Sequence, residues 1–304
     1  MARVDQRLTP SPWHKRFVTW PLSGGATWLG IRLMQLLPID TASNLGGVIA
    51  RAIGPLLPIS NRARLNLRDS FPDWDEPRIE ATIRGMWENL GRVAGEFVHL
   101  QHLDVSGDDP RVEVIGRKHI WNLRDDDAPG IFFSAHLANW ELLPKLAAPN
   151  GITMHSVYRA MNAPLADRIL RQSSGRHEDE LIAKGPTGAM KLARIMRNGG
   201  HIALLVDQKL NEGIDVPFFG RPAKTAPAIA LFALKYRCPV VPARVERLGG
   251  ARFRVTFWPP ITLPDSGDPK ADTLALMTDI NGWLEKWIRQ TPEQWLWLHR
   301  RWGK

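Results

Sequence analysis

The sequence predicts an α/β protein: a mainly parallel sheet covered by helices on both faces, with an N-terminal membrane-associated helical segment ahead of it. Three observations carry that prediction. Short apolar runs alternate with helical patterns from Val112 to Asp207, the order that builds parallel sheets through crossover helices. The run Ile131 to Phe133 is apolar throughout and follows a Pro129-Gly130 turn signal, so it reads as a buried central strand. The third is a stretch uncharged from Phe17 to Ile31, entered through Lys15 and Arg16 and followed by Arg32.

That N-terminal stretch falls short of the ~20 apolar residues a membrane span needs, and Gly24, Gly25 and Arg32 dilute it. It has no clear small-residue cleavage site, which speaks against a signal peptide. An in-plane or re-entrant anchor is the preferred reading, with a single span and a plain buried helix as alternatives. The chain then divides into a membrane-associated segment, residues 1–40, and one domain, residues 41–304. Ala42 to Leu57 is small and apolar, a helix closed by Pro55 and Pro58. In residues 61–72, Arg62, Arg64 and Arg68 flank Leu65 and Leu67, as either a solvated helix face or a basic edge turned to lipid headgroups. From Glu76 to Leu100, Ile79, Ile83, Met86, Leu90, Val93 and Phe97 recur at three-to-four spacing and predict a long helix.

Val112 to Ile115 is a short strand. The central strand ends at His136, and a helix is expected from Ala138 to the breaker at Ala147 to Gly151. Strands follow over residues 153–159 and 180–183, and helices over 164–170 and 187–197. A buried strand runs from His201 to Asp207, and another helix covers residues 226–235. Residues 239–247 and 252–258, parted by Gly249-Gly250, read as a hairpin. Asp272 to Arg289 closes the chain as an amphipathic helix with Leu276, Ile280, Trp283, Leu284 and Trp287 on one side.

At 304 residues and 44% hydrophobic the chain can bury a sizeable core. Its net charge of +9 points to an anionic partner: nucleic acid, an anionic membrane face or a phosphorylated substrate. Cys238 is the only cysteine, which excludes an intramolecular disulfide and a cysteine-based metal cluster. Thirteen Trp against two Tyr is unusual, and Trp suits membrane-water interfaces as well as cores.

Candidate chemistry gathers where strands end. His136 lies in a strand-to-helix turn with Glu141 about one helical turn on. On one continuous helix the two would stand roughly 140° apart, but with His136 outside the helix they converge. A carboxylate so placed holds the imidazole tautomer, which makes a general base without a side-chain nucleophile; a turn cap and a helix-dipole carboxylate are the bland alternatives. Arg159 sits just past a strand, with Arg168, Arg171 and Arg176 following, and four guanidiniums there suit a phosphate clamp or merely a surface. Asp207 and Gln208 end a buried strand, where an acid requires a partner. Phe218, Phe219 and Gly220 are candidates to line an apolar slot, and Thr225 to open a helix whose N-terminus favours an anion.

Together and in this order these segments resemble the late acyltransferases of lipid A biosynthesis, the lauroyl and myristoyl transferases within the wider lysophospholipid acyltransferase superfamily. The resemblance covers most of the chain: N-L-G-R-V-A-G-E from Asn89 to Glu96, H-L-A-N-W-E as the H-x-x-x-x-E form of the catalytic motif, Tyr158-Arg159, Asp207-Gln208, V-P-F-F-G, and the terminal P-E-Q-W-L-W-L-H-R-R-W. It implies an acyltransferase at the cytoplasmic face of the cell inner membrane, needing neither metal nor cofactor. His136 is then the general base, Glu141 its orienting acid, Arg159 an acceptor-phosphate or oxyanion contact, and Asp207 a supporting site residue. The implied partners are acyl carrier protein as donor, a phosphorylated glycolipid as acceptor and an anionic membrane surface, with no nucleic acid. Lys209 departs from the pattern, standing where many members have a second acid. The rival readings are a glycerolipid or mannolipid acyltransferase using acyl-CoA, and a basic, Trp-rich membrane-binding protein without catalysis.

Overall fold

The computed structural model describes residues 20–103, 111–126, 128–158, 167–168 and 180–303. The helix expected over residues 164–170 therefore lies largely outside the described residues, as do Arg159, Arg171 and Arg176. Strands β1 (Val112–Ile115), β2 (Gly130–Ser134), β3 (Met154–Tyr158), β4 (Leu181–Ala183) and β5 (His201–Leu205) appear where the apolar runs place them. They are followed by a two-stranded ribbon, β6 (Lys209–Phe218) and β7 (Arg221–Thr225), and by the hairpin β8 (Val240–Gly249) and β9 (Arg252–Phe257). Seven of these form one sheet in the order β1-β9-β8-β2-β5-β3-β4, parallel at every step except within the hairpin.

The central strand β2 is buried along its whole length. Its alternation sorts side chains into two cores, because successive residues point to opposite faces. Ile131, Phe133 and Ala135 join one layer with Ile83, Leu284 and Trp287, the last stacking on Phe133 at 5.9 Å between ring centroids. Phe132 joins the other with Ile120, Leu123 and Leu142, and meets Phe257 edge-on at 5.9 Å. Each such ring contributes about 1.5–3 kcal/mol through burial alone. The two cores clamp the strand whose end carries His136.

Helices α1 (Trp20–Gln35), α2 (Ile39–Ile53), α3 (Ser60–Ser70) and α4 (Glu76–Phe97) precede the sheet. Asp75 caps α4, accepting from the Arg78 N–H at 3.0 Å, and a proline occupies its first turn. Gly91 and Gly95 let α4 lie against the α2 backbone, where a Cβ on either would run into the carbonyls of Gly46 and Ala42. The opposite face of α2 is apolar and uncovered: Leu45, Val48, Ile49 and Ile53 are all exposed. No helix among the described residues is long and apolar enough to cross a membrane.

The basic run on α3 is not an open cationic edge. Arg64 pairs with Glu80 and Arg68 with Glu76, each through two hydrogen bonds, while Arg62 donates to the Leu298 carbonyl at 3.0 Å. Two further expectations are corrected. After the short helix α5 (Lys118–Arg124), the helix expected from Ala138 is the single turn α6 (Leu142–Lys145), because Ala138 is left-handed at φ 48° and residues 137–141 form a turn. Thr225 ends β7 and opens no helix; α7 (Pro186–Arg197) and α8 (Ala228–Tyr236) begin elsewhere, and α9 (Pro269–Gln290) closes the domain. The β6–β7 ribbon went unread because Gly213, Pro217, Pro222 and scattered charges interrupt the period-2 pattern.

Candidate active site

Two parallel neighbours bring the central pair together. Strands β2 and β5 run in register with Ser134 opposite Leu205, and the Val206 N–H extends the ladder to the Ser134 carbonyl at 3.1 Å. His136 and Asp207 each stand two residues beyond those partners, so both leave the sheet at the same level. His136 Nδ1 lies 2.8 Å from Asp207 Oδ1, and the His136 backbone N–H donates to Oδ2 at 2.9 Å. Trp295 Nε1–H donates to the same Oδ2 at 2.7 Å.

Asp207 is fully buried, and burial alone would push its pKa up. The charge and hydrogen bond of His136, with a smaller contribution from His299, outweigh it and hold the carboxyl well below the usual carboxylate range. An ionised carboxylate only accepts, so the hydrogen of a neutral His136 sits on Nδ1 and Nε2 is left as the acceptor. Asp207 is the carboxylate that meets His136 Nδ1, the place that the H-x-x-x-x-E spacing gives to Glu141. Glu141 accepts from Trp140 Nε1 at 3.0 Å and immediately precedes α6. The partners that Asp207 requires are an imidazole and an indole.

The Nε2 side of His136 is lined by Gln208, His299 and Trp140. Gln208 Nε2 lies 3.1 Å from His136 Nε2 and 3.4 Å from His299 Nε2, and the His299 and Trp140 rings each lie 5.1 Å from the His136 ring. Burial pushes the His299 pKa down to about 4, with the neighbouring charges of His136, Arg62 and Arg301 reinforcing it against Asp207. The backbone N–H groups of His136, Leu137 and Ala138 are committed to Asp207, Ala135 and Gln294.

The terminal Trp-rich segment straps this loop from one side. Leu137 bridges to Trp295 in antiparallel fashion, the Leu296 N–H donates to the His136 carbonyl at 3.2 Å, and Asn66 holds the carbonyls of Trp297 and His299. Phe218 and Phe219 are buried in the same aromatic cluster, against Trp295, Trp297 and Trp302. They form packing beneath the site, with the place of an open slot filled by indole rings. Thr225 Oγ1 accepts from Arg301 at 2.7 Å.

On the other side a second buried acid holds the loop. Asn139 Nδ2 donates to Glu96 Oε2 at 2.8 Å, and Ser43 Oγ donates to Oε1 at 2.7 Å. Arg247 pairs with both carboxylate oxygens and donates through Nε to Asn89 Oδ1 at 2.9 Å, while Asn89 Nδ2 donates to the Ala138 carbonyl at 3.1 Å. Reasoning from sequence left Glu96, Asn139, Arg247, Trp295, Gln208 and His299 without individual roles. A signal for one of the six was present: Glu96, seven residues after Asn89, falls on the apolar stripe of α4 between Val93 and Phe97, where an unpaired polar group is costly.

With fold and site in view, comparison with known proteins gives the class. The chain belongs to the bacterial lipid A biosynthesis acyltransferase family, whose model matches residues 16–304. It is an acyltransferase of lipid A biosynthesis. The lipid A biosynthesis lauroyltransferase of Escherichia coli (strain K12) is 26% identical over 302 residues, covering 95% of this chain and 92% of that protein. The lipid A biosynthesis myristoyltransferase of the same organism is 24% identical over 279 residues, covering 89% and 84%. Lipid A biosynthesis acyltransferase 1 of Shigella flexneri is 24% identical, with the same coverage.

Proposed function

We propose that the chain transfers a fatty acyl group from an acyl carrier protein thioester to a hydroxyl of a phosphorylated lipid A precursor, at the cytoplasmic face of the inner membrane, with His136 as general base. The observation that carries this reading is the Asp207–His136 contact at 2.8 Å, which turns the Nε2 lone pair toward the Gln208 side, where a hydroxyl that displaces the amide gives it a proton. The oxygen attacks the thioester carbon, the proton passes to Nε2, and collapse breaks the C–S bond as the sulfur takes that proton back. Acceptor identity rests on the family and on relatives named for lauroyl and myristoyl transfer. A net charge of +9 suits both an acidic carrier protein and a phosphorylated acceptor.

Arg159 and Arg176 act as phosphate contacts in this proposal, and Glu141 helps shape the motif turn beside Trp140. Phe218 acts from below by seating Trp295, and Phe219 by seating Trp297. Residues 1–40 hold the enzyme at the bilayer, the uncovered apolar face of α2 adding to the contact. Transfer is direct, because covalent catalysis requires a nucleophile beside its base. Ser134 is fully buried in the sheet, and burial pushes the Cys238 thiol up to about 11.

His136→Ala, assayed with acyl carrier protein donor and lipid A precursor, tests the reading. Turnover is expected to fall about 10²–10⁴-fold with the circular dichroism spectrum unchanged. Wild-type turnover in that variant removes the proposal.

A further inference from the structure

We propose that Gln208 is itself a catalytic residue: its side-chain amide marks the seat of the acceptor hydroxyl on His136 and, held by His299, turns to donate a hydrogen bond to the thioester oxyanion. This rests on His136 acting as the base and adds a group to that chemistry. The first support is the direction of the hydrogen bonds. Asp207 fixes the hydrogen of His136 on Nδ1, so whatever faces Nε2 at 3.1 Å has to donate, and a Gln carbonyl there would set lone pair against lone pair. The amide nitrogen therefore faces His136, and its two hydrogens serve two acceptors, His136 Nε2 and His299 Nε2.

The second support is what happens when substrate arrives. A hydroxyl that gives its proton to His136 has to occupy hydrogen-bond distance of Nε2, the place now held by the Gln208 amide. Displaced by the incoming oxygen but still tied to His299, the amide keeps one N–H unspent beside the forming C–O bond. In the addition step the hydroxyl oxygen bonds to the thioester carbon, its proton goes to His136 Nε2, and the C=O electron pair moves onto the carbonyl oxygen, toward that N–H. In the collapse step the pair returns, the C–S bond breaks, and the thiolate takes the proton from Nε2. The amide neither gains nor loses a proton.

The third support is the commitment of the nearby backbone donors. The N–H groups of His136, Leu137 and Ala138 already have acceptors within the protein, so negative charge developing beside His136 finds none of them free. His299 suits its part as a fixed acceptor. It is held mainly neutral near pH 7 by burial, facing His136, Arg62 and Arg301 on one hand and Asp207 on the other. A neutral imidazole with its hydrogen on Nδ1 accepts the amide N–H at Nε2, whereas an imidazolium would expel the amide.

The test measures kcat and KM for donor and acceptor in full-length Gln208→Ala, Gln208→Met, His299→Leu and His299→Gln, with His136→Ala alongside and each unfolding temperature recorded. Loss of a donor that acts only on the transition state lowers kcat by about 10²–10³-fold, leaving both KM values within about threefold. Gln208→Met keeps the volume without the N–H and is expected to match Gln208→Ala, so a misfolded alanine variant does not decide the matter. His299→Leu is expected to lower kcat in the same direction, and His299→Gln, which restores an acceptor oxygen, to recover part of it. If His136→Ala abolishes transfer while Gln208→Met turns over at the wild-type kcat, or faster because a plug has been removed, the role of Gln208 is refuted and that of His136 stands. A loss confined to KM would also refute it, making Gln208 a binding contact.

Discussion

Two buried carboxylates grip the loop that carries His136, and they do different work. Asp207 meets the imidazole itself and spends its remaining oxygen on the His136 N–H and the Trp295 indole. Glu96 never touches the imidazole; it holds Asn139, three residues on, and is neutralised by Arg247 from the β8–β9 hairpin. One acid therefore meets the imidazole and the other sets the shape of the turn. Both are almost fully inaccessible to solvent, so burial alone does not tell the two acids apart. What distinguishes them is the partner: a titratable ring in one case, a permanent guanidinium in the other.

The largest stability effect is expected on the structural side. Glu96→Gln leaves Arg247 charged and buried, and breaking one half of such a pair costs about 3–5 kcal/mol. Urea unfolding of the variant measures it. The same preparation, assayed per folded molecule, should keep most of its turnover. A loss of turnover per folded molecule as large as that of His136→Ala would erase the distinction between the two acids. Replacing Glu96 and Arg247 together by Met should recover most of the stability, because no unpaired charge is then left behind.

Trp295→Phe probes the side where the two functions meet. It removes one of three donors to an ionised carboxylate, which costs about 1.5–3 kcal/mol of stability. Turnover should fall by a smaller factor than in His136→Ala, since two donors from His136 remain on Asp207. An unchanged unfolding midpoint would mean that this indole is packing only.

A smaller effect concerns pH. His299 has a folded pKa of about 4, below its unfolded value near 6.5, so between these values the unfolded chain binds more protons. Stability contributed by a neutral His299 is therefore complete above about pH 6.5 and is lost as the pH falls toward 4. Between pH 7 and 5 the loss is on the order of 1–2 kcal/mol. His299→Gln should flatten that part of the stability profile, and an identical slope in both proteins would reassign it to other groups. Least affected by the loop should be membrane partition: deletion of residues 1–40 is expected to shift the protein toward the soluble fraction while detergent-dispersed substrate is still turned over. Unchanged partition would transfer the anchoring role to the face of Leu45, Val48, Ile49 and Ile53.

The parts legible in the sequence were those with a local period. The strands ending near His136 and Asp207 declared themselves through unbroken apolar runs, and the long helix through the spacing of Ile79, Ile83 and Met86. The β6–β7 ribbon and the turn at Ala138 were not legible, since their geometry is imposed by tertiary packing and a left-handed residue rather than by pattern. His136 is legible as a strand-end residue, but the carboxylate that meets its ring is not, because chain proximity is visible in a sequence and register between parallel strands is not. Asp207 becomes its neighbour only once Ser134 and Leu205 are paired. Trp295 lies 88 positions beyond Asp207 and His299 lies 91 beyond Gln208, in a segment whose Trp content suits a core or a membrane interface as well as a site.

Asp207→Asn tests the central claim most directly. Trp295 Nε1–H and the His136 N–H both point at one oxygen of residue 207, so an asparagine carbonyl settles there and its amino group faces His136 Nδ1. An amino group donates, which forces the imidazole hydrogen onto Nε2 and removes the lone pair that accepts the hydroxyl proton. With the variant purified, its unfolding midpoint recorded and its turnover measured on acyl carrier protein donor and lipid A precursor, kcat is expected to fall about 10²–10⁴-fold while the protein stays folded. A folded Asp207→Asn enzyme with kcat within about threefold of wild type would contradict the assignment of His136 as a base whose tautomer Asp207 holds.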